Sequence, residues 1–168
     1  MCVIIDMNTL SCVFNPKNKQ YNEFKPVFDW IDKGEGRIVY GGSKYREELR
    51  EMSNYLNFLK EYKKRNKDKV INVDDDKVDQ EQQKVKKKLE KINPNSDFND
   101  THIVAIIIVS GCRLVCSKNS DHYPFIKNRR LYPSKFGKTS IYRGYADKDM
   151  LLSRNVKRLC KRCREENR

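Results

Sequence analysis

Cys2-Val3-Ile4-Ile5-Asp6-Met7-Asn8-Thr9 opens the chain, and the reading of this stretch decides the fold. Its first half is short, β-branched and apolar on both faces, which predicts a strand over residues 2 to 6 covered on both sides. Strands of that kind belong to parallel sheets sandwiched between helices. Asp6 closes the apolar run, and with Asn8 and Thr9 it begins a loop or a helix cap. In an open parallel sheet the binding crevice lies beyond the carboxyl ends of the strands. Position alone therefore puts Asp6 beside a site.

Working outward, residues 22 to 33 read as a helix with Phe24, Val27, Phe28 and Ile31 on one side, stopped by Gly34. Arg37 to Tyr40 is a second short strand, broken by Gly41-Gly42. Ser43 is a good cap for one long helix whose buried stripe runs Tyr45, Leu49, Met52, Leu56, Leu59. A lysine-rich stretch over 60 to 69 leads to an extended piece at Val70 to Val73. Asp74, Asp75 and Asp76 start a helix that reaches about Lys91, with Val78, Val85, Leu89 and Ile92 inward, and Asn93-Pro94-Asn95 ends it. The run Ile103 to Val109 stays open: propensity says strand, whereas Asp97 with Asp100 ahead of it says buried helix. Leu114 to Cys116 and Ser140 to Arg143 read as further strands. From about Asp147 the pattern is a basic amphipathic helix, with Leu152, Val156, Leu159 and Cys163 on its apolar stripe and Arg154, Lys157, Arg158 and Lys161 among its charges. The expected architecture is a three-layer α/β/α domain over 1–146 with a small, mostly parallel central sheet, followed by that helix over 147–168.

The 168 residues suffice for one core. Thirty-six Lys and Arg against twenty-three Asp and Glu, a net charge of +13, point to a polyanionic partner, RNA first and DNA second. No apolar stretch is long enough to span a bilayer, so no membrane role is expected. No basic lead-in or small-residue cleavage site marks a signal peptide, and the six cysteines then read as reduced thiols in the cytoplasm.

Against this basic background four acids stand at element ends: Asp6, Glu48 on a helix start, Asp100 before the apolar run, and Asp121 beyond the third strand. Gathering carboxylates in one pocket costs stability unless a cation joins them, and hard divalent cations take oxygen ligands. Each acid also has a plain structural reading. Asp6 serves as a cap, Glu48 as a first-turn acid favoured by the helix dipole, Asp100 as a capping partner of Asp97, and Asp97 is itself a rival ligand.

The ordered set resembles a PIN domain, the fold of many metal-dependent ribonucleases, over roughly residues 2 to 145. The carriers are I-I-D-M-N-T-L, S-K-Y-R-E-E-L, D-T-H-I-V-A, and L-V-C followed by S-K-N-S-D. Asp6 with Asn8 two places on, Glu48 before Leu49, and Asp100 ahead of Ile103 and Ala105 match that family's first three positions. The fourth departs, because Lys118 stands two residues after Cys116 and acidity returns only at Asp121, with Asn119 the other candidate.

The resemblance implies an endoribonuclease that hydrolyses phosphodiester bonds with Mg²⁺ or Mn²⁺ held by Asp6, Glu48, Asp100 and Asp121, Asn8 orienting Asp6. It also implies a toxin or defence-system effector, an inhibitor or defence-partner protein, and a homodimer. The rivals are a PIN-like RNA-binding scaffold with a weak site and a phosphatase of the haloacid dehalogenase type, whose second Asp is here Asn8.

Lys127, Arg129 and Arg130 and the terminal helix are the expected phosphate contacts. Tyr123, Phe125 and Tyr132 fit either base stacking or core packing. His102 and His122 read as polar surface residues or secondary substrate contacts. Cys160 and Cys163 form only half a zinc site.

Overall fold

The computed structural model describes residues 1–152, 154 and 155. Short apolar runs become strands and longer amphipathic runs become helices. In chain order these are β1 (Cys2–Ile5), α1 (Leu10–Phe14), α2 (Tyr21–Asp32), β2 (Arg37–Tyr40), α3 (Ser43–Glu51), α4 (Ser53–Arg65), β3 (Val70–Asn72), α5 (Asp75–Ile92), α6 (Thr101–Ser110), β4 (Leu114–Cys116), α7 (Tyr123–Ile126) and β5 (Ser140–Tyr142). Single turns of 3-10 helix cover Met7–Thr9 and Ser120–His122, and a longer one covers Tyr145–Leu151.

All five strands join one sheet in the order β3-β2-β1-β4-β5, and every pairing is parallel. The opening run behaves as its composition demands: Val3, Ile4 and Ile5 are fully buried at the centre of the sheet. The chain steps from β1 out to β3 and returns across the sheet to β4. The order therefore reverses between β1 and β4, and the crevice at such a reversal is where open α/β sheets bind ligands. Right-handed crossovers place α1, α2 and α4 on one side and α5 and α6 on the other, giving the three-layer α/β/α arrangement. Phe14 packs on Phe28 and Phe58, and the Tyr62 hydroxyl donates to the Ile31 carbonyl, which ties α1, α2 and α4 together.

The ambiguous run is the helix α6. Its residues Thr101 to Ile107 are all buried, and the helix ends on Gly111 in the left-handed region (φ 69°). Strand propensity loses here to tertiary packing: the run lies as a helix against α5 and β1, in the layer that crosses from β3 to β4.

Other expectations need correction. The single helix expected from Ser43 is two, because the backbone leaves the helical region at Met52 (φ −97°, ψ 58°). Its halves go to different places: α3 is tied to α5, while α4 joins α1 and α2. The residue preceding α3 is Gly42, not Ser43; the Ser43 amide and hydroxyl both donate to Asp79 on α5, and the Gly42 amide donates to Asp75. Asp74 caps α5 by accepting from the Lys77 amide, as the acidic run suggests. The boundary expected at Asp147 falls inside the Tyr145–Leu151 turn, which packs on α2 and buries Leu151. Arg154 lies in a helical stretch and is exposed. Lys157, Arg158, Lys161 and the pair Cys160/Cys163 lie outside the described residues.

Candidate metal centre

Backbone pairing carries the sheet right to its carboxyl edge. The Asp6 amide donates to the Cys116 carbonyl at 2.9 Å, and the Ser117 amide donates to the Tyr142 carbonyl at 3.1 Å. This fixes two adjacent loops, one after β1 and one after β4, at the reversal point. Asp6 is only 3% exposed, and its Oδ2 accepts from the Ser117 hydroxyl at 2.7 Å. The same hydroxyl oxygen accepts from the Asn119 amide at 3.1 Å, and Thr9 Oγ1 accepts from the Lys118 amide at 3.0 Å. The two loops are thus laced together around Asp6.

Glu48 arrives from α3. The fully buried Tyr45, one turn earlier, donates its hydroxyl to the Ile5 carbonyl at 2.8 Å and so pins α3 over the end of β1. Lys44 Nζ lies 3.6 Å from Glu48 Oε1 and His102 Nε2 lies 3.5 Å from Oε2. Asp100 precedes α6, yet its carboxylate does not cap that helix. It is engaged instead by His122 Nδ1 at 2.5 Å from Oδ2. The His122 ring is held edge-on to Phe98, which itself stacks on Phe125, and Asn119 Nδ2 lies 3.1 and 3.3 Å from its ring nitrogens.

Two overlapping groups result: Asp6, Asp100 and His122, and Glu48, Asp100 and His102. Within each, one ligand atom per residue lies within 4.8 Å of the others. The electrostatics are those of crowded acids. Burial, then the nearby Asp100 charge, raises the Glu48 carboxyl above its ordinary range, with Lys44 opposing. Burial also raises Asp100, against the pull of His122. His102 is 1% exposed, and burial lowers its ring to about 4, so it is neutral at physiological pH. Neither of its nitrogens has a hydrogen-bond partner among the described residues. An orphaned buried polar group of this kind costs about 1–3 kcal/mol.

The donor set suits a divalent cation. Each group offers two carboxylates with hard oxygens, a cation would relieve their mutual repulsion, and His102 Nε2 lies 3.5 Å from Glu48 without a hydrogen bond of its own.

Several sequence expectations fare differently. Asp6, Glu48 and Asp100 are brought together. Asp121 is not: it is exposed, and its amide simply donates to Asn119 Oδ1. Asn8 is exposed too, and Ser117 rather than Asn8 holds Asp6. Asn119 belongs to the site, through His122. Asp97 is exposed and belongs to neither group. Of the two readings for His102 and His122, the surface one does not hold: one is buried, and the other grips Asp100. Their only sequence signal was adjacency to acids, and Ser117 had none beyond following a strand. Of the aromatics, Tyr132 is buried, Phe125 stacks on Phe98, and the Tyr123 hydroxyl donates to the Ser117 carbonyl at 2.6 Å. Lys127, Arg129 and Arg130 are exposed.

No family model, curated protein or solved structure matches the chain.

Proposed function

We propose that this protein is a divalent-metal-dependent nuclease that hydrolyses RNA phosphodiester bonds internally, in the manner of the PIN domains its acids resemble. One observation carries the reading: Asp6, from the loop after β1, and Glu48, from α3, each come within ligand-sharing distance of Asp100, beyond the carboxyl ends of the strands where the sheet order reverses.

Asp6, Glu48 and Asp100 would hold a Mg²⁺ or Mn²⁺ ion, which would supply an acidified water and positive charge to offset the charge building on the phosphate. The chain's residues provide the rest. Ser117 holds the Asp6 carboxylate in one orientation, and His122 does the same for Asp100. Glu48, from α3, joins Asp100 and His102 in the second group. Lys44, with its side chain 45% exposed at the same edge, offers an ammonium to an arriving phosphate. The surplus of Lys and Arg, with Lys127, Arg129 and Arg130 exposed on the chain after β4, supports a polyanionic substrate. Among the described residues no helix is long and apolar enough to cross a membrane. Cys2, Cys12, Cys112 and Cys116 are buried, and a cytoplasmic location is part of this reading. A toxin or defence role, with an inhibitor protein and a dimer, rests on the resemblance alone.

The test is cleavage of bulk RNA by the full chain with added Mg²⁺ or Mn²⁺. Chelation should stop cutting and either ion should restore it. Asp6→Asn and Asp100→Asn should each cut activity by at least about a hundredfold while leaving the circular dichroism unchanged. RNA binding without cutting would make the protein a scaffold, and turnover of small phosphate esters without RNA cleavage would make it a phosphatase.

A further inference from the structure

The buried histidine at the edge of the acidic cluster does more than fill space. His102 sits on the first turn of α6, directly after Asp100 and Thr101, and Thr101 is itself held by Gln82 (Nε2 to Oγ1, 3.3 Å). The Tyr45 ring stands edge-on to the imidazole at 6.3 Å between centroids. A histidine this deeply buried ordinarily has both nitrogens hydrogen-bonded. Here neither is, although Glu48 Oε2 lies 3.5 Å from Nε2. That separation is close to the roughly 3 Å that separates two donor atoms sharing one ion at bond lengths of about 2.1 Å. His122 makes the contrast, since its Nδ1 is already committed to Asp100 at 2.5 Å.

We infer that His102 Nε2 is a ligand of the metal held by Glu48 and Asp100, so that this centre selects a first-row transition ion such as Mn²⁺ or Co²⁺ over Mg²⁺. The inference rests on the reading that the acids hold a metal, and it specifies which metal. Oxygen-only cages suit Mg²⁺, whereas imidazole shifts preference toward transition ions. His122 acts one step out, as the partner that aims Asp100. Glu48 and Asp100 keep the site reachable, with side chains 23% and 13% exposed.

The experiment is electron spin echo envelope modulation on the untagged full chain loaded with Mn²⁺, with Mn²⁺ and Mg²⁺ affinities measured by calorimetry. The expected result is a directly bound ¹⁴N signal, present in wild type and in His122→Gln and lost in His102→Gln. Mn²⁺ should bind at least about tenfold tighter than Mg²⁺, and His102→Gln should erase most of that margin. Bound Mn²⁺ with no nitrogen coupling would overturn the inference and leave an all-oxygen metal site standing. Nitrogen lost in His122→Gln would assign the ligand to the other imidazole and overturn it as well. Failure to bind Mn²⁺ at all would remove the inference together with the metal site beneath it. Should His102→Gln not fold, the wild-type and His122→Gln spectra still decide.

Discussion

Ser117 is the residue on which Asp6 depends. Its hydroxyl donates to Asp6 at 2.7 Å and accepts the Asn119 amide, so one side chain sets both the carboxylate and the loop after β4. Ser117→Ala should therefore lower cleavage by about tenfold or more through loss of orientation, with metal binding weakened and the fold retained; single-turnover rates and melting curves would check this. Asp121→Asn makes the opposite case. Its side chain is exposed and belongs to neither ligand group, so the substitution should leave cleavage within about twofold of wild type, and a large loss would return Asp121 to the site. Tyr45→Phe removes the hydroxyl that reaches the Ile5 carbonyl and leaves a buried acceptor unpaired. It should destabilise the protein by about 1–3 kcal/mol in urea unfolding. At this scale the sequence could name the acids, because carboxylates in a basic chain stand out. It could not name Ser117 or rank the histidines. A serine is unremarkable in composition, and burial of a histidine depends on what packs over it.

At the scale of elements, the junction of α3 and α5 is built on Gly42. Its backbone (φ 85°, ψ 146°) lies in a region L side chains rarely adopt, and a Cβ there would come within 2.5 Å of Val78 Cγ1. Gly42→Ala should cost about 1–3 kcal/mol of stability and, by shifting α3, displace Glu48 from the cluster; denaturant midpoints and Mn²⁺ affinity would report the two effects separately. A second element carries a pH signature. Asp147 is held by the Arg143 side chain, which keeps its carboxyl below the ordinary value of 3.8. A carboxyl lowered in the folded state adds stability above its unfolded value and loses it as pH falls through the folded one. The stability gap between wild type and Asp147→Asn should then be full near neutrality and shrink once the pH drops below about 4. The helices and strands themselves were largely readable from apolar period. What was not readable is where a continuous stripe breaks, since Tyr45 to Leu59 keeps helical spacing across Met52 although α3 and α4 pack on different partners.

Across the whole molecule, charge is the governing quantity. The residues from 156 to 168 contain six Lys and Arg and two Glu, out of a chain total of +13. Deleting them removes none of the residues of the turn that buries Leu151. It should weaken RNA binding and flatten the dependence of affinity on salt, in proportion to the phosphates the shortened chain no longer neutralises. Filter binding at several salt concentrations gives that slope, and unchanged curves would assign the tail another purpose.

The chain's composition and order alone determined that this is a parallel α/β protein with a buried opening strand, a strongly basic net charge, and acids at the ends of elements. These are local properties, since apolar period, β-branching and formal charge are carried by each segment wherever it goes. Tertiary structure alone decided that Ile103 to Val109 is a helix, that Asp6, Glu48 and Asp100 meet while Asp121 does not, and that two histidines enter the cluster. Those outcomes depend on crossover direction and on which side chains share a few ångströms of space, and distances of that kind between remote residues are set only when the sheet closes its order around β1.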